Sequence, residues 1–108
     1  MRWRGLLVGL THRLVELTNR LTELSGGRVE GRLARFLLKL ATDIGQRRDE
    51  GVFIPLALSR QELADMIGTT IETSIRIMSR WGKDAIVRTD KDGFVILDRA
   101  ALEAASLS

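Results

Sequence analysis

A mainly helical α+β fold with one small β-hairpin is predicted by three features of the sequence. Two short amphipathic segments, 59–67 and 70–81, are joined by a tight glycine turn at Gly68. The apolar period then changes from helical to alternating over residues 86–97. Ahead of both, large apolar residues recur at spacings of four and three through the first 24 residues. The first two features make a helix-turn-helix followed by a β-wing. The third adds a dimerising helix, so that residues 1–27 precede a winged helix-turn-helix unit at 28–108.

The chain has 108 residues, 44% hydrophobic and 29% charged, which is the balance of one soluble domain with a limited core. A second copy packed against it would add to that core. Of 17 basic residues only Lys39, Lys83 and Lys91 are lysines. Arginine suits bidentate contact with phosphates and guanine edges, and is equally at home on a solvated surface. Cysteine is absent, which excludes disulfides, thiol catalysis and cysteine-ligated metal centres within these residues. The single histidine, His12, lies off the leucine seam beside Arg13 with no carboxylate or nucleophile arranged around it, and reads as solvated. No phosphate-cradling loop, dinucleotide fingerprint or metal-ligand spacing occurs, so no enzyme activity, cofactor, metal or small-molecule site is expected. The apolar stretch after Arg4 is too short for a membrane span and lacks a cleavage site, so a cytoplasmic protein is expected.

The elements follow in order. Trp3, Leu7, Leu10, Leu14, Leu17, Leu21 and Leu24 form a heptad seam, with Arg13, Glu16, Arg20 and Glu23 off it. A seam this narrow and regular fits a partner helix better than an amphipathic face packed on its own domain. Ser25, Gly26 and Gly27 end that helix. A second helix is expected from Val29 to about Gln46, with Leu33, Phe36, Leu37, Leu40, Ala41 and Ile44 on one face. Residues 47–51 read as a polar connector. Val52, Phe53, Ile54 and Leu56 read as a short strand that Pro55 places at a sheet edge. Ser59 and Glu62 form the capping box of the next helix, which carries Leu63, Ala64, Met66 and Ile67. Gly68 stops it, and Thr69 or Thr70 caps a helix from Ile71 to about Trp81. Residues 86–89 and 94–97 flank a turn at 90–93 in which Gly93 is expected to supply positive φ. Asp98 caps a last short helix over Ala100–Ala105.

The run Leu58-Ser-Arg-Gln-Glu-Leu-Ala-Asp-Met-Ile-Gly68, followed by Thr70-Ile-Glu-Thr-Ser-Ile-Arg76, resembles the DNA-binding end of the Crp/Fnr family of bacterial transcription regulators. Glu30 to Leu40 resembles the first helix of that domain, Gly93 to Asp98 its wing, and the heptad helix the end of the family's long dimerisation helix. The resemblance implies a sensor domain ahead of these parts, for which 108 residues leave no room, so a truncated form or a piece of a longer sensor-regulator is expected. One departure is Ser74-Ile75, where the family has an apolar residue followed by a small or polar one. Ser74 should face the core, leaving a small void or a hydroxyl bonded back to the preceding turn, and Ile75 should project outward.

The resemblance further implies double-stranded DNA as the partner and a homodimer through Leu7, Leu10, Leu14, Leu17, Leu21 and Leu24. Arg76 would donate to guanine and Glu72 accept from cytosine, with Ile71 and Ile75 against thymine methyls. The bland alternative for Glu72 and Arg76 is a surface i,i+4 ion pair. Ser59, Arg60, Gln61, Thr70, Thr73 and Arg80 match positions that hold phosphates in the family, and hydroxyls, amides and guanidinium groups suit that task. Arg88 and Lys91 on the wing would add phosphate contacts against the charge of Asp90 and Asp92. The alternative function is a protein-interaction module whose heptad helix pairs with a full-length regulator.

Overall fold

The computed structural model describes residues 28–107. The heptad seam expected over 1–27 lies outside the described residues. Helix α1 (Arg28–Ile44) buries Val29, Leu33, Ala34, Leu37 and Ala41. Their spacing puts them on one stripe of a 3.6-residue helix. Phe36 and Leu40 flank the stripe half-buried. Ile44, expected on the apolar face, is the last residue of the helix and is exposed.

The expected connector at 47–51 is instead half of a hairpin. Strand β1 (Gln46–Arg48) pairs antiparallel with β2 (Gly51–Ile54) in the register Gln46↔Phe53, Arg47↔Val52, Arg48↔Gly51. All of β1 is exposed and polar, so it carries no alternation to be read. Arg48 lays its guanidinium 3.8 Å above the Phe53 ring centroid, a cation–π contact that covers the aromatic face. The edge position expected for β2 is also overturned. β2 lies inside a four-stranded sheet of order β1-β2-β4-β3. Pro55 is tolerated because it follows the last paired residue, Ile54, and so removes no ladder bond.

Helix α2 (Arg60–Ile67) starts at the predicted capping box: Ser59 Oγ accepts from the Glu62 N–H and the Glu62 carboxylate accepts from the Ser59 N–H, both at 3.0 Å. Gly68 ends it in the left-handed conformation, φ 73° and ψ 51°, which glycine adopts without the Cβ penalty. Thr70, rather than the fully buried Thr69, caps helix α3 (Ile71–Lys83) by accepting from the Thr73 N–H. Leu63, Ala64 and Ile67 of α2 and Ile77, Met78 and Trp81 of α3 fill the space between them. Past Lys83 the chain reverses through Ala85 at φ 55°, with the Ile86 N–H donating to the Trp81 carbonyl at 2.9 Å. A residue with a Cβ holds that conformation at roughly 1–2 kcal/mol.

The wing is β3 (Val87–Asp90) and β4 (Gly93–Ile96), displaced from the expected bounds by one residue each. The turn is Lys91–Asp92, and neither it nor Gly93 has positive φ. Gly93 is required for a different reason. A Cβ there would sit 1.9 Å from the Ile54 carbonyl oxygen, so the close pass of β2 over β4 excludes any side chain. β4 is buried along its whole length, paired to β2 through Val52↔Ile96, Phe53↔Val95 and Ile54↔Phe94 and to β3 on its other edge. Helix α4 (Arg99–Ser106) is capped by Asp98, whose carboxylate accepts from the Ala101 N–H, and packs Leu102 against α1. The core runs from Leu33 and Leu37 through Leu63 and Trp81 to Ile54, Phe94, Ile96 and Leu102. It fixes α3 with one face inward and the other outward.

Candidate nucleic-acid interface

The sequence dictates which face of α3 turns out. Ser74, Ile77, Met78 and Trp81 recur at spacings of three, one and three, and all four are buried. What remains on the other side is Glu72, Ile75, Arg76 and Ser79, all exposed, with Ile71 half-buried at the edge. Ile75 is 48% exposed, unusual for a β-branched apolar side chain on a small domain. Three of the four expected base-reading residues are therefore presented together, and Ile71 sits partly shielded beside them.

The expected phosphate contacts divide by environment. Ser59, Arg60 and Gln61 gather at the start of α2, and Thr70 and Thr73 at the start of α3. There the first N–H groups of each helix lack intrahelical acceptors and the helix dipole is positive. The Thr70 hydroxyl donates to Thr73 Oγ1 at 3.0 Å, which ties the two side chains into one unit. Gln61 gives its amide to Asp65 one turn on, at 2.8 Å. Arg60 reaches out of α2 to the wing, donating from Nη2 to Thr89 Oγ1 at 2.7 Å, and its partial burial lowers the guanidinium pKa from its ordinary value. Arg80 turns the other way. It forms an ion pair with Glu30 of α1, and the same carboxylate accepts from the Trp81 indole N–H at 3.0 Å.

Two further carboxylate arrangements shape the charge of this surface. Hydrogen bonds from the Ser59 backbone and side chain hold the Glu62 carboxylate below its ordinary pKa, so the negative member of the capping box stays ionised at neutral pH. On the wing Arg88 is held by Asp90, through Nε at 2.8 Å, and by both oxygens of Glu50 at 2.8 and 3.0 Å. Those bonds raise the Arg88 pKa and lower those of Asp90 and Glu50. The expected wing phosphate contact of Arg88 thus has two carboxylates of its own domain as competitors.

Ser74 resolves one open alternative. It is fully buried, and its Oγ has no hydrogen-bond partner among the described residues, so the hydroxyl is not bonded back to the preceding turn. Glu30 and Thr89 are the polar residues of this surface that the sequence did not single out. A buried indole N–H demands an acceptor, which announces that Trp81 has a partner but not that it lies 51 residues away. For Thr89 the available signal is alternation: it shares a strand face with Val87, which packs on the core.

Residues 31–105 match the model of the Crp-like helix-turn-helix domain. The chain belongs to this family. Among its relatives are a global nitrogen regulator of Synechococcus elongatus, 29% identical over 97 residues that make up 90% of this chain and 44% of that protein, and the fumarate and nitrate reduction regulatory protein of Vibrio cholerae, 34% identical over 79 residues, 73% of this chain and 32% of that protein. The structure of the CO-dependent transcription factor CooA from Carboxydothermus hydrogenoformans superposes with a TM-score of 0.69 at 26% identity, covering 90% of this chain and 43% of that one. The chain spans less than half the length of these Crp/Fnr relatives. Among the described residues, no helix is long and apolar enough to cross a membrane, and no group of three or more His, Cys, Asp or Glu side chains is placed to hold a metal ion.

Proposed function

We propose that this chain is the DNA-binding part of a Crp/Fnr-type transcription regulator, inserting α3 into the major groove of an inverted-repeat site as a homodimer. The observation that carries the reading is the outer face of α3, where Glu72, Ile75 and Arg76 are exposed together while the inner face is locked in the core. Arg76 donates to guanine O6 and N7, Glu72 accepts from cytosine N4, and Ile71 and Ile75 meet thymine methyls. Ser59, Arg60, Gln61, Thr70 and Thr73 hold the flanking phosphates through the starts of α2 and α3. Arg80 joins them by sharing its guanidinium between Glu30 and the backbone. Dimerisation runs through the leucines of residues 7–24, which sets the two α3 helices about 34 Å apart, one turn of the duplex.

Selection of the purified chain against a random DNA library at one fixed, moderate salt concentration tests this. Enrichment of an inverted repeat with a guanine in each arm supports it. A folded protein that enriches nothing overturns it in favour of a protein-interaction module, and a steep salt dependence of binding separates the two.

A further inference from the structure

The wing strand β3 distributes its polar side chains unequally. Arg88 and Asp90 share one face of the strand, and Arg88 is committed there to Asp90 and Glu50. Thr89 and Val87 share the opposite face, and Val87 is buried against the core beneath the helices. That alternation aims the Thr89 hydroxyl at the start of α2, where Arg60 Nη2 meets it at 2.7 Å. The bond joins residues 29 apart in sequence and bridges two elements that both pack against α3. A hydroxyl acceptor takes one of the five N–H donors of a guanidinium without cancelling its charge. A carboxylate in the same place would neutralise it, as Glu50 and Asp90 do for Arg88.

We propose that Thr89 is the positioning residue of Arg60: its hydroxyl pins one edge of the guanidinium against the wing so that the remaining donors face a DNA phosphate. This rests on the reading of the chain as a DNA-binding module and of Arg60 as a phosphate contact. Arginine side chains carry about 2 kcal/mol of rotamer entropy, and a side chain already held by one bond loses less of it on contact. Thr89 itself touches no base and need not touch DNA. It acts through Arg60, and the wing acts through Thr89, with the charge of Arg88 offset by its own carboxylates.

The test uses the full chain, with the duplex enriched in the selection and a shuffled duplex of the same composition. Thr89→Val removes the acceptor with almost no change in shape at an exposed site. It is expected to weaken binding to both duplexes alike, by about three- to tenfold, the net worth of one ordinary hydrogen bond. The slope of log affinity against log salt should shrink, by at most about one, the value for complete loss of one phosphate contact. Thr89→Ser, which keeps the hydroxyl, should restore both quantities. In an Arg60→Ala background Thr89→Val should change nothing further. Unchanged binding by Thr89→Val overturns the proposal and leaves the DNA reading standing, as does an undiminished loss in the Arg60→Ala background. A wild-type chain that binds neither duplex overturns both.

Discussion

The two faces of α3 answer to different constraints although they share one backbone. The inner face (Ser74, Ile77, Met78, Trp81) is buried, and Ile77, Met78 and Trp81 belong to the core. The outer face (Glu72, Ile75, Arg76) is exposed, and none of its three side chains belongs to the core. A helix of ordinary amphipathic design would fill the second face with solvated polar groups. The exposed Ile75 breaks that rule outward, and the buried, unpartnered Ser74 breaks it inward. On the proposed reading, these adjacent exceptions of opposite sense mark where the demands of folding and of DNA contact meet on neighbouring residues.

If the faces are independent, changes on one should leave the other's observable untouched. The largest effect is expected for Trp81→Ala. Truncating this fully buried indole opens a cavity and strips Glu30 of a donor, and should cost about 3–5 kcal/mol in urea unfolding. The ratio of affinities for cognate and shuffled DNA, measured where the variant is folded, should stay constant. Next, Arg76→Ala should lose about 1–3 kcal/mol of discrimination at one guanine per arm. Its unfolding midpoint should move far less than that of Trp81→Ala. Equal discrimination by the two proteins across operator variants would remove Arg76 from base reading.

Ser74→Ala comes third. It replaces an unsatisfied buried hydroxyl by a methyl and is expected to be neutral or to raise stability by up to about 1–3 kcal/mol, with DNA preference unchanged. A lower melting temperature would show that the hydroxyl has a partner after all. The smallest effect concerns the entry to α2. Because the folded-state pKa of Glu62 is depressed, the stabilisation it brings is present above the unfolded carboxylate pKa and is lost as pH falls through the folded value. Thermal melts of wild type should therefore soften on acidification below the ordinary carboxylate range. Glu62→Gln keeps a capping-box acceptor and should lose that part of the pH dependence. Parallel melting curves of the two proteins against pH would show that the capping carboxylate contributes no linkage.

The parts of this molecule that were legible in sequence are those whose signals are local. Ser59 with Glu62, Gly68, Thr70 and Asp98 each set a helix boundary through bonds spanning three or four residues, and the structure forms all of them. The division of α3 into faces follows from the 3.6-residue period alone. The first strand escaped notice because Gln46, Arg47 and Arg48 pair by backbone, with every side chain exposed. Pro55 misled because its position relative to the last paired residue, not its presence in an apolar run, decides whether a ladder bond is lost.

The sequence by itself determined the helix-turn-helix, the wing and the outward set Glu72, Ile75 and Arg76, because caps and periodicity act within a few residues of the chain. Only the tertiary structure decided that Gly93 is glycine to admit the Ile54 carbonyl and that Arg80 belongs to Glu30. It alone gave Arg60 to Thr89 and left the Ser74 hydroxyl without a partner. Each of these depends on groups brought together by the packing of separate elements, 29 to 50 residues apart for the three pairs, and no local pattern records which groups will meet.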